Sequence, residues 1–153
     1  MLIRGRQIKL ADLMETREAL EPICAESAAR KRTDDDLAVL DQANSDIADP
    51  DADLSAFLQA NLDWHVGVAM ASHNELLIGL MTALSHAIYT GTENAEFVDD
   101  NVRTVTARAH RSVTAAIRNR DADAAGRRMR RHVHSYAKAA LAMDERDAIS
   151  VDD

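Results

Sequence analysis

The chain has 153 residues, 46% of them hydrophobic, with 18 basic and 26 acidic side chains and a formal net charge of −8. This length suits one domain with a single core, and the acidic balance disfavours binding to a phosphate backbone. Aromatic residues make up only 3%, which also disfavours a stacking surface for single-stranded nucleic acid. Because Cys24 is the only cysteine and no stretch is typical of a signal peptide or membrane span, we expect a cytoplasmic protein with no membrane partner.

Helix-forming residues dominate the first half of the chain, and apolar residues recur there at helical spacing. The pattern predicts a first helix over residues 10–30, which Pro22 should kink or split. Thr33 and Asp36 resemble a capping box, with aspartate in place of the usual Glu or Gln. They predict a second helix over residues 33–47.

The rest of the chain continues the same helical pattern. It predicts a third helix over residues 53–72 and a fourth that begins near Asn74 and ends at Gly91. A fifth helix is expected over residues 96–120, and Asp121 is a suitable N-cap for a sixth. Helices of this kind predict an all-α fold, an antiparallel bundle of six to seven helices.

The domain organisation predicted from these elements is simple. Residues 1–9 precede the first helix and are interpreted as the remnant of a linker. Residues 10–143 form the helical domain, and residues 144–153 form an acidic, flexible tail.

Three histidines lie on the apolar sides of different predicted helices: His65, His110 and His132. Neutral imidazole is the commonest protein ligand for zinc, nickel and iron. His110 and His132 each lie eleven residues from Asp121, so an antiparallel helix pair would hold both rings level, about 16 Å from the turn. The helix of His65 could complete the site, and Asn61 shares its face because the two residues are four apart. These positions predict a metal or anion pocket.

Four segments in chain order carry a family resemblance. They are REALEP at 17–22, NLDWH at 61–65 with ASHN at 71–74, His110 through Arg120 and Asp121, and Met129 with the following His132 and Val133. In these segments, which span nearly the whole chain, the sequence resembles the FCD effector-binding domain of FadR-type regulators in the GntR family of bacterial transcription factors.

The resemblance implies a helical bundle whose internal pocket binds a small carboxylate beside a divalent metal. Carried over by position, the implied metal ligands are Asn61, His65, His110 and His132, and Arg17 is the implied partner of the effector carboxylate. A guanidinium can hold a carboxylate by two hydrogen bonds. The family pattern has Asp where this chain has Asn61, and an amide oxygen is the weaker ligand. Since imidazole nitrogen suits zinc or nickel better than magnesium, we expect one of those two metals.

The sequence therefore predicts a non-enzymatic, ligand-sensing and dimerisation domain of a transcriptional regulator. It would act as a homodimer, bind a small organic acid, and reach DNA only through a winged-helix domain that this chain lacks. Two other functions are compatible with the residues. A small helical metalloenzyme could use the three histidines as a catalytic site, and a dimerisation bundle would bind no ligand.

The run of arginines at 127–131 could indicate DNA contact or only a solvated helix face. It is interpreted as a solvated face around an inward Met129, because the net charge of the chain disfavours DNA contact. His73, His86 and His134 lack the matched spacing and are interpreted as surface residues or as neighbours of the pocket.

Overall fold

The computed structural model describes the backbone of residues 2–3, 6–7, 9–91 and 98–150, and the side chains of residues 9–89 and 98–143. Two short strands, β1 (Leu2–Ile3) and β2 (Arg6–Gln7), pair antiparallel at the N-terminus. This small hairpin lies in the segment interpreted as a linker remnant.

Six helices follow in the described part of the chain. They are α1 (Leu10–Lys31), α2 (Asp34–Ile47), α3 (Leu54–Ala71), α4 (Glu75–Gly91), α5 (Asp100–Arg118) and α6 (Ala122–Ser150). The predicted all-α fold is confirmed. None of these helices, over the residues described, has the length and apolar character needed to cross a membrane.

Short polar side chains cap the starts of the helices, at Thr33 and Asp121 as the sequence predicts and at Asp99, where no cap was predicted. Thr33 and Asp36 form a reciprocal capping box at the start of α2. Asp99 accepts a hydrogen bond from the Val102 amide at 2.7 Å, and Asp121 accepts one from the Ala124 amide at 2.9 Å. Each cap satisfies an amide that has no partner within its helix, so the caps determine where the helices begin.

Two predicted boundaries differ from the observed ones. Helix α5 begins at Asp100 because Asp99 caps it, while the expected start at Glu96 lies outside the described residues. Helix α6 continues past Met143 to Ser150, into the segment expected to be a flexible tail.

Pro22 does not split α1, which is continuous from Leu10 to Lys31. A proline inside a helix costs about 3 kcal/mol because it removes a hydrogen bond and crowds the preceding turn. Helix α1 is the central element of the bundle and packs on α3, α4, α5 and α6, most extensively on α6. Burial of its apolar side, including Pro22 itself, offsets the local cost.

The turn between α5 and α6 is tied to the end of α1. Arg120 adopts a left-handed conformation there, with φ of 56°. Its guanidinium donates hydrogen bonds to the carbonyl oxygens of Arg30 and Arg32, each at 3.2 Å. These bonds fix the α5–α6 turn against the end of α1.

Candidate functional site

The three histidines singled out by the sequence meet inside the bundle. His65 is on α3, His110 on α5 and His132 on α6, and all three are buried. One ring nitrogen from each can be chosen so that all three lie within 4.8 Å of one another. Nε2 of His110 lies 3.0 Å from Nε2 of His132, so these two rings face each other as their equal distance from Asp121 predicts. The cluster offers three nitrogen ligands to one point.

A buried tryptophan fixes the ring of His110. The Trp64 indole stacks on it, with centroids 3.7 Å apart and planes 8° from parallel. Trp64 in turn donates a hydrogen bond from Nε1 to the Thr114 hydroxyl at 3.0 Å, and the Asn44 amide donates to the same oxygen at 3.0 Å. Helices α2, α3 and α5 are thereby joined behind His110, which limits its rotation. The sequence analysis gave no role to Trp64 or Thr114.

Arg17 lies at the cluster and is almost completely buried, with 1% of its surface exposed. Its Nη2 donates to Nε2 of His65 at 3.1 Å, and its Nε donates to Oε1 of Glu21 at 2.6 Å. The Cζ atom of its guanidinium also lies over the Tyr136 ring, 5.8 Å from the centroid. A buried arginine beside three histidines is a fixed positive charge that an anion entering the site would meet.

Glu21 is a further residue of the site whose role was not predicted from the sequence. Its second oxygen, Oε2, lies 2.5 Å from Nδ1 of His65, so one carboxylate contacts both Arg17 and His65. The spacing of Glu21 and Arg17, four residues apart on one helix, was visible in the sequence as a helical ion pair. It did not show that the pair is buried against α3.

The protonation states of the site follow from burial and from the neighbouring charges. Burial alone would raise the pKa of Glu21, but Arg17 and His65 outweigh it and hold that pKa far below its usual range. Burial lowers the pKa of His65, and the charge of Arg17 adds to this against the opposing effect of Glu21. Burial and the neighbouring histidines lower the pKa of His110 strongly, and burial with His65 and Arg17 lowers that of His132 to about 3. Near neutral pH the three rings are therefore neutral, as metal ligands must be.

The remaining predicted residue, Asn61, is buried on α3 one helical turn before His65. Both side chains belong to the inward side of that helix. The histidines without matched spacing lie elsewhere. His73 is exposed and contacts Asp36 at 2.8 Å, and His134 is exposed and contacts Glu18 at 3.0 Å.

A cavity of about 410 Å³ between α5 and α6 reaches the cluster from outside. His132, Thr106 and Tyr136 line it together with residues of both helices. A volume of this size accommodates a small organic molecule.

The sequence matches a known protein family over most of its length. The FCD domain family matches residues 12–135, which covers most of the chain and includes every residue of the site. The chain belongs to the FCD domain family. The resemblance inferred from the four sequence segments is thus confirmed.

The chain is similar in sequence to proteins named as transcriptional regulators. The chain is 30% identical over 116 residues to the galactonate operon transcriptional repressor of Escherichia coli K12, an alignment covering 76% of this chain and 51% of the repressor. It is 35% identical over 85 residues to the HTH-type transcriptional regulator LutR of Bacillus subtilis, covering 56% of this chain and 38% of LutR. The chain therefore spans about half or less of the length of these relatives.

A solved structure shares the architecture. Streptococcus agalactiae GntR superposes with a TM-score of 0.70 at 28% identity, over 85% of this chain and 58% of that one. The chain is thus an effector-binding domain of the type found in GntR-family regulators. These relatives are named as regulators and not as enzymes, which agrees with the prediction of a non-enzymatic domain.

Proposed function

We propose that this FCD domain senses a small carboxylate, held beside a divalent metal, for a dimeric GntR-family regulator. The observation that carries the proposal is the meeting of three buried, neutral imidazoles with one buried arginine. The metal would be held by His65, His110 and His132, with Asn61 in support. Arg17 would bind the carboxylate of the effector.

The donor set supports zinc or nickel. Three imidazole nitrogens suit these metals, whereas magnesium prefers oxygen ligands. Glu21 faces Nδ1 of His65, so that nitrogen carries the ring proton and the lone pair is on Nε2. A bound metal would supply a fixed positive charge that attracts and orients an anionic effector.

Metal and effector binding would be coupled through His65. In this structure, the Nε2 lone pair accepts a hydrogen bond from Nη2 of Arg17. The lone pair can serve Arg17 or a metal ion, but not both. In the metal-bound protein, Nη2 of Arg17 is therefore available to a carboxylate oxygen.

The charges at the site also support an anionic effector. Arg17 and Glu21 offset each other, and the three histidines and Asn61 are neutral. A divalent metal would leave a net charge of about +2 in a buried place, which an anion would compensate. The galactonate operon repressor is named for a sugar carboxylate, which agrees with this class of effector.

The homodimer proposed for this domain would use an exposed face of α4. Leu76 and Leu80 lie one turn apart there, 71% and 40% exposed, and a side chain placed at Gly79 would meet only open space. An apolar, smooth helix face in an acidic protein is typical of a subunit contact. A regulator assembled in this way would act on DNA in the cytoplasm through a winged-helix domain.

A thermal-shift screen of organic acids tests the proposal. Protein loaded with zinc or nickel should melt at a higher temperature with the effector acid than without it. His110→Ala should abolish both the increase in melting temperature caused by the metal and the increase caused by the acid. If neither metal nor any acid raises the melting temperature, the domain is a ligand-free dimerisation bundle. Turnover of a stabilising acid would instead indicate a metalloenzyme.

A further inference from the structure

The cavity between α5 and α6 has a charge opposite to that of the protein. Three of its lining residues are Arg108, Arg128 and Arg131, and none of the lining residues in the described part of the chain is Asp or Glu. The whole chain, by contrast, has 26 acidic and 18 basic side chains. A concave, basic surface on an acidic protein concentrates anions because low-dielectric walls focus the local field.

The three arginines are not equivalent. Arg128 is half-buried and donates from Nη1 to the Ser112 carbonyl oxygen at 2.7 Å, so it bridges α6 and α5. Arg108 and Arg131 are exposed, and neither forms an ion pair with a carboxylate of the described side chains. Arg128 is therefore part of the wall of the cavity, whereas Arg108 and Arg131 are available to bind a ligand.

The cavity adjoins the histidine cluster. His132 lines it and also contacts His110 inside the bundle. Tyr136 lines it as well, and the ring of Tyr136 lies beneath Arg17. A molecule held at the cluster would have this cavity next to it, with apolar contacts from Val102 and Val105 on α5.

We propose that the cavity binds a second anionic group of the effector, a carboxylate or a phosphate, through Arg108 and Arg131. The effector is then an acid with two anionic ends: one end meets Arg17 and the histidine cluster, and the other meets the two arginines. This inference rests on the proposed function for its first end. The arginine run at 127–131 alternates along the helix, because Arg128 and Arg131 line the cavity whereas Arg127 and Arg130 are exposed and do not line it.

The same alternation provides a matched control. R108Q/R131Q removes two positive charges at the cavity, one from α5 and one from α6, and R127Q/R130Q removes two positive charges of α6 that do not line the cavity. Both pairs consist of exposed side chains, so neither should affect folding. The two variants have equal net charge, and a difference between them reports the cavity alone.

The probes are glucarate and gluconate, six-carbon acids that differ in having two carboxylates or one. Zinc-loaded wild-type protein titrated by calorimetry should bind glucarate about tenfold or more tightly than gluconate. R108Q/R131Q should lower the glucarate affinity to that of gluconate, and R127Q/R130Q should leave it unchanged. Equal affinities for the two acids in the wild type, or equal losses in both double variants, overturn the proposal.

A second measurement separates failure of this proposal from failure of the metal–carboxylate site. If neither sugar acid binds, the Arg side-chain NMR signals of metal-free protein are followed during titration with inorganic phosphate. Saturable shifts of the Arg108 and Arg131 signals, without shifts of Arg127 and Arg130, support the anion site even if the first end of the effector is wrong. Uniform or absent shifts overturn it and leave a solvated basic face.

Discussion

His110 and His132 place their Nε2 atoms 3.0 Å apart although they belong to different helices. The contact arises because each residue lies eleven positions from Asp121, the N-cap of the helix that follows the turn. Arg120 ties that turn to α1 and so fixes the level of both rings. The site is thus built on a helical hairpin whose register is fixed at its turn, and α3 closes it with His65.

The first prediction concerns Glu21. Glu21→Gln should lower the free energy of unfolding by about 3 kcal/mol, because Arg17 then becomes a buried charge without its partner. It should also weaken zinc binding by about tenfold or more, since Nδ1 of His65 loses its carboxylate. Urea denaturation and a competition titration with a zinc chelator measure the two effects. Glu18→Gln, on the same helix but partly exposed, is the control, and equal behaviour of the two variants would contradict the assignment.

The second prediction concerns Arg17, and the structure determines which substitution is informative. Arg17→Ala would leave Glu21 buried and unpaired, so a loss of binding could reflect a loss of stability. Arg17→Lys keeps the charge but removes the planar fork. The Arg17→Lys variant should bind zinc normally. Its affinity for the acid that stabilises the wild type best should be about tenfold lower, which corresponds to the loss of one charge-assisted hydrogen bond. Calorimetry that gave the same acid affinity as the wild type would remove Arg17 from the effector site.

The third prediction is a loss of stability in acid. The folded-state pKa values of His65, His110 and His132 lie below the ordinary value of 6.5, that of His132 at about 3. The unfolded chain therefore binds more protons than the folded one below about pH 6.5, and the stabilisation present above that pH is lost as pH falls toward 3. Each ring contributes a slope of at most about 1.4 kcal/mol per pH unit.

Denaturant titrations of metal-free protein between pH 7.5 and 5.0 measure this slope. In that range Glu21, whose ordinary pKa is 4.5, contributes little because it is ionised in both states. The other charged group that contacts the rings, among the described side chains, is the guanidinium of Arg17. His132→Gln should reduce the slope and His134→Gln, at an exposed position, should not. A stability independent of pH over this range would contradict the burial of the neutral rings.

The fourth prediction concerns the exposed face of α4. Leu80→Asp should convert the proposed homodimer to a monomer, because it places a charge on an apolar subunit contact. Val39→Asp, at a 55% exposed position on α2, should leave the dimer intact. Sedimentation velocity at micromolar concentration distinguishes the species. A dimer that persists in Leu80→Asp and dissociates in Val39→Asp would place the contact on α2.

Much of the fold followed from local sequence signals. Caps such as Thr33 and Asp121 act over three residues, so they are readable without tertiary structure. The local effect of Pro22 is visible in the sequence and predicts a kink or a break, whereas the packing of α1 on four neighbouring helices, which keeps the helix continuous, is not visible there.

Part of the candidate site was likewise predictable from the sequence and part was not. The positions of His110 and His132 follow from helix geometry and one turn, so their meeting was predictable. The roles of Glu21 and Trp64 were not, because both depend on how α1 and α5 pack against α3. Likewise, nothing in the run 127–131 shows which arginines line a cavity until α5 is placed beside α6.

The central claim is that three histidines hold one metal ion, and metal stoichiometry tests it most directly. Protein stripped with a chelator, incubated with zinc or nickel and desalted, should carry about one metal per chain by elemental mass spectrometry. His110→Ala should carry almost none, while His73→Ala, which changes an exposed histidine, should match the wild type. A wild-type chain that keeps no zinc or nickel, or a His110→Ala variant that keeps as much as the wild type, would contradict the account.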